Sequence, residues 1–152
     1  MHLDEFAAHL KFPLDEFQHQ ACQAVENDHG VLVCAPTGAG KTIIGEFAVS
    51  LALSRGTKCF YTTPIKALSN QKYHDLVAAH GPETIGLLTG DTTINHNADI
   101  LVMTTEVLRN MIYAGAGLSD LAVVVLDEVH DAIHVFPLFS WYEPERSQTM
   151  DR

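Results

Sequence analysis

One stretch limits the folds open to this chain more than any other: Ala35-Pro36-Thr37-Gly38-Ala39-Gly40-Lys41-Thr42. Before it, the apolar run Val31-Leu32-Val33-Cys34 predicts a buried parallel strand. After it, Ile43, Ile44, Phe47 and Leu51 recur at helical spacing. A glycine-rich turn between a strand and a helix is the setting a phosphate-binding loop needs. Gly38 and Gly40 let successive backbone N–H groups turn inward without a Cβ penalty. The N-terminus of the following helix adds positive partial charge. Lys41 has the reach for β- and γ-phosphates, and the Thr42 hydroxyl is positioned in sequence to bind Mg2+.

The rest of the chain predicts strands alternating with helices. Residues 1–12 read as a short amphipathic lead-in with Phe6, Leu10 and Phe12 apolar. Asp15 and Gln18 form a capping-box pair ahead of a helix whose inner face is Leu14, Phe17, Ala21, Ala24 and Val25. Asn27 to Gly30 stops it, and the helix after the phosphate loop runs to Ser54-Arg55-Gly56. Strands are expected at Lys58 to Thr62, Ile85 to Leu88, Asp99 to Met103 and Leu121 to Leu126. Helices are expected after Thr63-Pro64, with Ile65, Leu68, Tyr73, Leu76 and Val77 inward, and from Thr104-Thr105-Glu106, with Val107, Leu108, Met111 and Ile112 on one face. This alternation predicts a parallel α/β sheet with right-handed crossovers and ligands at the carboxyl ends of its strands.

Composition narrows the partners. With 152 residues, a net charge of −10 and nine Lys+Arg against nineteen Asp+Glu, the chain has no general basic field for nucleic acid. Any such contact must be local, through backbone N–H groups, hydroxyls and helix N-termini. No apolar run approaches the ~20 residues of a membrane span, and the acidic N-terminus carries no signal-peptide pattern. Cys22, Cys34 and Cys59 are scattered, with no Cys-x-x-Cys, and are expected as free buried thiols in a reducing compartment. Cys34 is expected in the core.

The apolar run from Leu121 ends on Asp127-Glu128-Val129-His130. Beside a phosphate loop, Asp127 is expected to hold Mg2+ and Glu128 to polarise the attacking water. His130 and His134 are four apart, but without His-Glu-x-x-His or a third ligand no separate metal site is expected.

Asp-Glu-Val-His together with the A-x-T-G-x-G-K-T form of the loop, with Ala35 where the general pattern has glycine, resembles superfamily 2 helicases. Phe12-Pro13-Leu14-Asp15-Glu16-Phe17-Gln18, Thr63 to Lys72, Gly86 to Asp91 and Val102 to Arg109 resemble in particular the superkiller-like group, the exosome-associated RNA helicases and their bacterial relatives. The resemblance covers residues 12–130. It implies a RecA-like parallel sheet flanked by helices, a P-loop NTPase lobe, with ATP and Mg2+ as cofactors. Residues 1–130 are then the helicase ATP-binding domain. The catalytic residues implied are Lys41, Asp127 and Glu128, with Thr42 and Asp127 on Mg2+. ATP is implied to lie on Ala35, Pro36, Thr37, Gly38, Ala39, Gly40, Lys41 and Thr42, with Gln18 at the adenine and Phe12 near the base; Gln18 has a second reading as a helix cap. Pro64, Ile65, Lys66, Gly90, Asp91, Thr104, Thr105 and Glu106 resemble the segments that hold the nucleic-acid backbone, although Thr104 and Thr105 read equally well as N-caps. His130 is implied to couple nucleotide state to a second lobe.

After His130 the resemblance stops. Residues 131–152 read as a divergent tail whose apolar cluster, with the two prolines Pro137 and Pro144, is expected as a surface patch. The further strand with Ser-Ala-Thr, and a second RecA-like lobe with its arginines, do not follow in this sequence. Two readings stand: a motor lobe of an ATP-dependent RNA helicase acting on single-stranded RNA with exosome-type partners, or an inactive nucleotide-binding fragment. A DNA translocase lobe is a third. The expected location is the cytoplasm, or the nucleus of a eukaryote.

Overall fold

The computed structural model describes residues 2–34, 40–115, 121–129 and 132–137. Within them five helices flank a seven-stranded sheet. The helices are α1 (His2–Ala8), α2 (Glu16–Glu26), α3 (Thr42–Arg55), α4 (Lys66–His80) and α5 (Thr105–Ala114). The strands are β1 (Val31–Cys34), β2 (Lys58–Thr63), β3 (Ile85–Leu88), β4 (Thr93–Ile94), β5 (Ile100–Thr104), β6 (Leu121–Val129) and β7 (Ala132–Pro137). Their order is β1-β7-β6-β2-β5-β3-β4.

The centre of the sheet is parallel: β6, β2, β5 and β3 run side by side in one direction. β5 is buried at every residue, as a strand covered on both faces must be. Alternation along β2 divides the core. Cys59 and Tyr61 join the cluster under α1, α2 and α3, whereas Phe60 joins Leu101, Met103 and Leu108 on the α5 side. The sequence of α3 is apolar nearly all round because sheet and helices cover it together: Ile44, Phe47 and Val49 are fully buried, and Phe6 of α1 meets Phe47 edge-on at 5.3 Å. Gly56, at φ 67°, then closes the helix in the left-handed region.

Several expectations are corrected. The sheet is mixed, since β7 runs antiparallel to both β1 and β6, and β4 antiparallel to β3. Only two residues separate β6 from β7, too few for the crossover that a parallel neighbour requires. Among the described residues β1 pairs on one side only, so it is an edge strand and has no parallel partner. Leu32 is accordingly 56% exposed, and Cys34 is exposed, not in the core. Ile65 and Ile112 also face solvent, at 55% and 56%, because α4 and α5 each touch the sheet through a narrow stripe. Phe12 is exposed, and Leu3 takes the buried position of the lead-in helix.

The largest departure follows residue 130. Residues 132–137 form no surface patch. They are a sheet strand, with Ile133 at 0% and Val135 at 1% exposure, while His134 and Phe136 pack edge-on at 4.8 Å on the opposite face. His134 therefore sits on a strand, where helical spacing to His130 has no meaning. Residues 138–152 lie outside the described residues. The buried thiols of Cys22 and Cys59 are pushed up to about 12 by burial alone, which keeps them protonated and inert.

If β7 carries the load this packing implies, Ile133→Ala should destabilise the protein by about 2–5 kcal/mol, read from urea unfolding. A change within error would mean that β7 is not docked in the sheet.

Candidate functional site

The site is built where strands end. β6 delivers Asp127 on the α3 side of the sheet, and α3 begins at Thr42, with Lys41 at its N-cap. Lys41 and Asp127 are each 6% exposed. Thr42, Asp127 and Glu128 line one cleft of about 190 Å³, closed on its far side by Gln71 and Lys72 of α4. Glu128 is exposed there and holds φ 62°, the left-handed conformation, at the irregularity where the β6–β7 ladder shifts register. On the other side of Thr42 a cleft of about 600 Å³ is lined by Phe12, Pro13, Gln18 and Gly40. Ala35, Pro36, Thr37, Gly38, Ala39 and His130 lie outside the described residues.

Gln18 performs two tasks at once. Its Oε1 accepts from the Asp15 backbone N–H at 2.8 Å, closing the cap of α2. Its Nε2 donates to the Gly40 carbonyl at 3.0 Å, which ties the start of α2 to the end of the phosphate loop. The backbone at 40 favours glycine, with φ +88°, and a Cβ there would lie 2.4 Å from Gln18 Nε2 and push the tether aside. The capping reading of Gln18 is thus observed.

Asp127 is a carboxylate placed where an anion is costly. One oxygen accepts a hydrogen bond from the hydroxyl of Tyr61, and among the described residues no lysine or arginine forms an ion pair with it. Burial, and then the charge and hydrogen bond of Asp127, push the Tyr61 phenol well above its ordinary value, so it remains a donor. A buried carboxylate sharing a cleft with a threonine hydroxyl is a set of hard oxygen donors that suits Mg2+.

The residues expected at nucleic acid gather along the neighbouring rim, at the ends of β2, β5 and β3. Pro64, Ile65 and Lys66 are exposed at the start of α4. Lys66 Nζ pairs with Asp91 Oδ2 at 2.5 Å, and Thr89 Oγ1 donates to Asp91 Oδ1 at 3.1 Å. The Lys66 and Thr89 hydrogen bonds hold the Asp91 carboxyl below its ordinary value. Gly90 has open space around it. Thr104 accepts from the Val107 N–H at 3.3 Å, so it is the N-cap of α5, while Thr105 Oγ1 donates to the Thr63 carbonyl at 3.2 Å and Glu106 is exposed. Thr63 in turn hydrogen-bonds Ser69 Oγ at 2.7 Å, so the end of β2 binds the starts of α4 and α5 together. Sequence reasoning missed Tyr61. Its signal was a hydroxyl in an otherwise apolar strand, in step with the acid on the neighbouring strand.

Comparison with known proteins bears on these observations. The family profile described as DEAD/DEAH box helicase matches residues 15–137. "Probable helicase HelY" of Mycobacterium tuberculosis is 66% identical over 129 residues, covering 84% of this chain and 14% of that relative. "Exosome RNA helicase MTR4" of Homo sapiens is 48% identical over 125 residues, covering 82% and 12%. The chain thus spans about one-seventh or less of the length of these relatives. A solved structure described as a "hypothetical ATP-dependent RNA helicase from Sulfolobus tokodaii" shares the fold, with a TM-score of 0.62 at 22% identity over 82% of this chain and 40% of that one. No helix of the described residues is long and apolar enough to cross a membrane.

The Gln18 tether can be isolated. Gln18→Glu keeps an acceptor for the Asp15 N–H but turns an anion toward the Gly40 carbonyl. We expect a loss of about 1–3 kcal/mol in unfolding free energy at neutral pH. Wild-type stability would show that the Gly40 bond contributes nothing.

Proposed function

Since this chain belongs to the DEAD/DEAH box helicase family, we propose that it is the ATP-binding motor lobe of an RNA helicase. The observation that carries the proposal is the shared cleft of Thr42, Asp127 and Glu128 beside the start of α3. In this reading residues 1–130 form the ATP-binding unit, onto which β7 adds a strand. The loop from Ala35 to Thr42 cradles phosphates with backbone N–H groups and the α3 N-terminus, and Lys41 meets the β- and γ-phosphates. Thr42 and Asp127 hold Mg2+, which when bound neutralises charge developing on the phosphates. Glu128, exposed in the cleft, orients the attacking water. Phe12, exposed in the larger cleft, offers a flat face to adenine, and Gln18 sits against the loop beside it.

The proposed substrate is single-stranded RNA, on the strength of the MTR4 likeness and its printed name; exosome-type partners follow from the same likeness, as does a cytoplasmic or nuclear location. DNA as substrate is the alternative outcome of the binding assays. RNA would lie along Pro64, Ile65, Lys66, Gly90, Asp91, Thr104, Thr105 and Glu106, where helix starts and hydroxyls meet phosphates without a basic field. His130 is proposed to pass nucleotide state to a facing lobe.

A fluorescent ATP analogue tests the division of roles. Lys41→Ala should abolish binding. Asp127→Ala should lose only the Mg2+-dependent part of the affinity, while Glu128→Gln should bind as wild type, since that side chain acts on water. Equal losses in all three variants would refute the assignment.

A second test concerns turnover. ATP in two-lobe motors lies in a cleft between lobes that close on it, and residues 1–152 supply one wall. Arginines donated to developing phosphoryl charge are worth ~10³–10⁵ in rate, and an open site admits water that weakens each contact. Residues 1–152 assayed by themselves should therefore release phosphate no faster with single-stranded RNA than without. An RNA-dependent rate that Glu128→Gln removes would overturn this.

A further inference from the structure

Beneath Asp127 lies a side chain the proposed chemistry does not yet use. Tyr61 is completely buried, yet its ring is not simply core filling. In the β2–β6 ladder Tyr61 stands opposite Val125. Asp127 is two residues further along β6 and so on the same face. This register lets the phenol hydroxyl reach past one residue pair and donate to Asp127 Oδ2.

The ring is held from two sides. Across from it, α3 has Gly45, where a Cβ would lie 2.8 Å from Tyr61 Cε2 and 2.9 Å from its Oη. Any larger residue at 45 would displace the ring or the helix. From α4, the ammonium of Lys72 lies 5.0 Å from the ring centroid and is itself fixed by Glu46 Oε1 at 3.2 Å. These contacts hold the ring, and its hydroxyl lies against Asp127. The acceptor it meets is a buried carboxylate that is in none of the ion pairs seen among the described residues.

We propose that Tyr61 is the positioning residue for Asp127: the hydroxyl pins one carboxylate oxygen, and with it the orientation in which Asp127 is offered to Mg2+ in the Thr42 cleft. The inference rests on the nucleotide-binding reading above and adds the residue that sets its metal ligand. A phenylalanine would fill the same volume and pack on Gly45 equally well, so packing gives no account of the hydroxyl. A carboxylate released from that donor turns about its χ angles, and each competing orientation lowers the fraction ready for the cation. Partners of this kind typically alter metal affinity roughly 10–100-fold when removed.

The experiment measures binding, not turnover. The fluorescent ATP analogue is titrated into residues 1–152 over a range of Mg2+ concentrations and again in EDTA, for wild type, Tyr61→Phe, Asp127→Ala and the double variant. Tyr61→Phe should raise the Mg2+ concentration for half-maximal binding roughly tenfold or more, with affinity in EDTA unchanged. In the double variant the phenylalanine should add nothing to the Asp127→Ala defect, because the hydroxyl acts only through that carboxylate. Wild-type Mg2+ dependence in Tyr61→Phe, or losses that multiply in the double variant, would overturn the proposal and leave the loop reading intact. A wild-type protein whose binding ignores Mg2+ would overturn both. Should Tyr61→Phe not fold, the wild-type chain labelled with 3-fluorotyrosine takes its place: a Tyr61 fluorine resonance that shifts when Mg2+ is added with the analogue, and does not shift in Asp127→Ala, supports the proposal, and one that ignores Mg2+ overturns it.

Discussion

Burying a carboxylate at the end of a central strand sets terms for everything packed around it. Asp127 keeps only a small part of its surface exposed, at the cleft, and its remaining polar surface is met by a donor. The fold brings the Tyr61 hydroxyl from the adjacent parallel strand. Bringing a tyrosine ring under α3 then demands that the helix present no side chain at that point, and Gly45 meets the demand. A helix able to approach so closely also brings its first turn, with Thr42, to the cleft that Asp127 lines. A buried acid, a glycine in mid-helix and a helix start brought to the cleft are thus three consequences of one packing solution. The glycine has a helix-propensity cost of about 1 kcal/mol, which the burial of the ring and its hydrogen bond offset.

The strand that carries Asp127 has partners on both sides, and the two partners differ in kind. On the β2 side the pairing is parallel and keeps one register from Val123 through Leu126. On the β7 side it is antiparallel and loses register between Leu126 and Val129, just around the two acids. Glu128 takes its left-handed φ at that irregularity. A bulge at a strand end re-aims a side chain, and here it coincides with Asp127 turned inward toward Tyr61 and Glu128 standing exposed. The two acids, adjacent in sequence, thereby occupy different environments: one buried and hydrogen-bonded, the other in solvent contact. That difference underlies the separate roles proposed for them.

What could be read from the sequence was local. The strand ending at Cys34 and the helix starting at Thr42, the cap formed by Asp15 and Gln18, and the N-cap at Thr104 each depend on residues close together in the chain, and each is observed among the described residues. What could not be read depends on strand order. Val31-Leu32-Val33-Cys34 has the composition of a buried strand, and nothing within it records that it lies at a sheet edge with Leu32 and Cys34 facing solvent. Ile133, Val135 and Pro137 do alternate with His134 and Phe136 as a half-covered strand should. The motifs that carry the resemblance end at His130, and the expectation of a divergent surface tail follows from that; the family profile instead continues to residue 137, and the strand belongs to the sheet. Tyr61 is hidden for a further reason, since its importance lies in register with β6, sixty-six positions away.

Electrostatics separates the two rims of the molecule. A chain of net charge −10 repels polyanions at long range, so whatever holds phosphate must work at contact distance. At the rim proposed for ATP the means are a buried lysine at the α3 N-cap and the helix start itself. At the rim proposed for RNA the cation in view, Lys66, is neutralised by Asp91. Both partners are more than half exposed, and exposed pairs contribute little to stability. An arriving phosphate can therefore take the place of Asp91 beside Lys66 at small cost. The displaced carboxylate, still held by Thr89, would then stand close to that phosphate and repel it. Such a rim favours contacts that bring both a helix N-terminus and Lys66 to bear and penalises looser ones. It would hold a strand in register while holding it weakly, which is consistent with the proposed motor role.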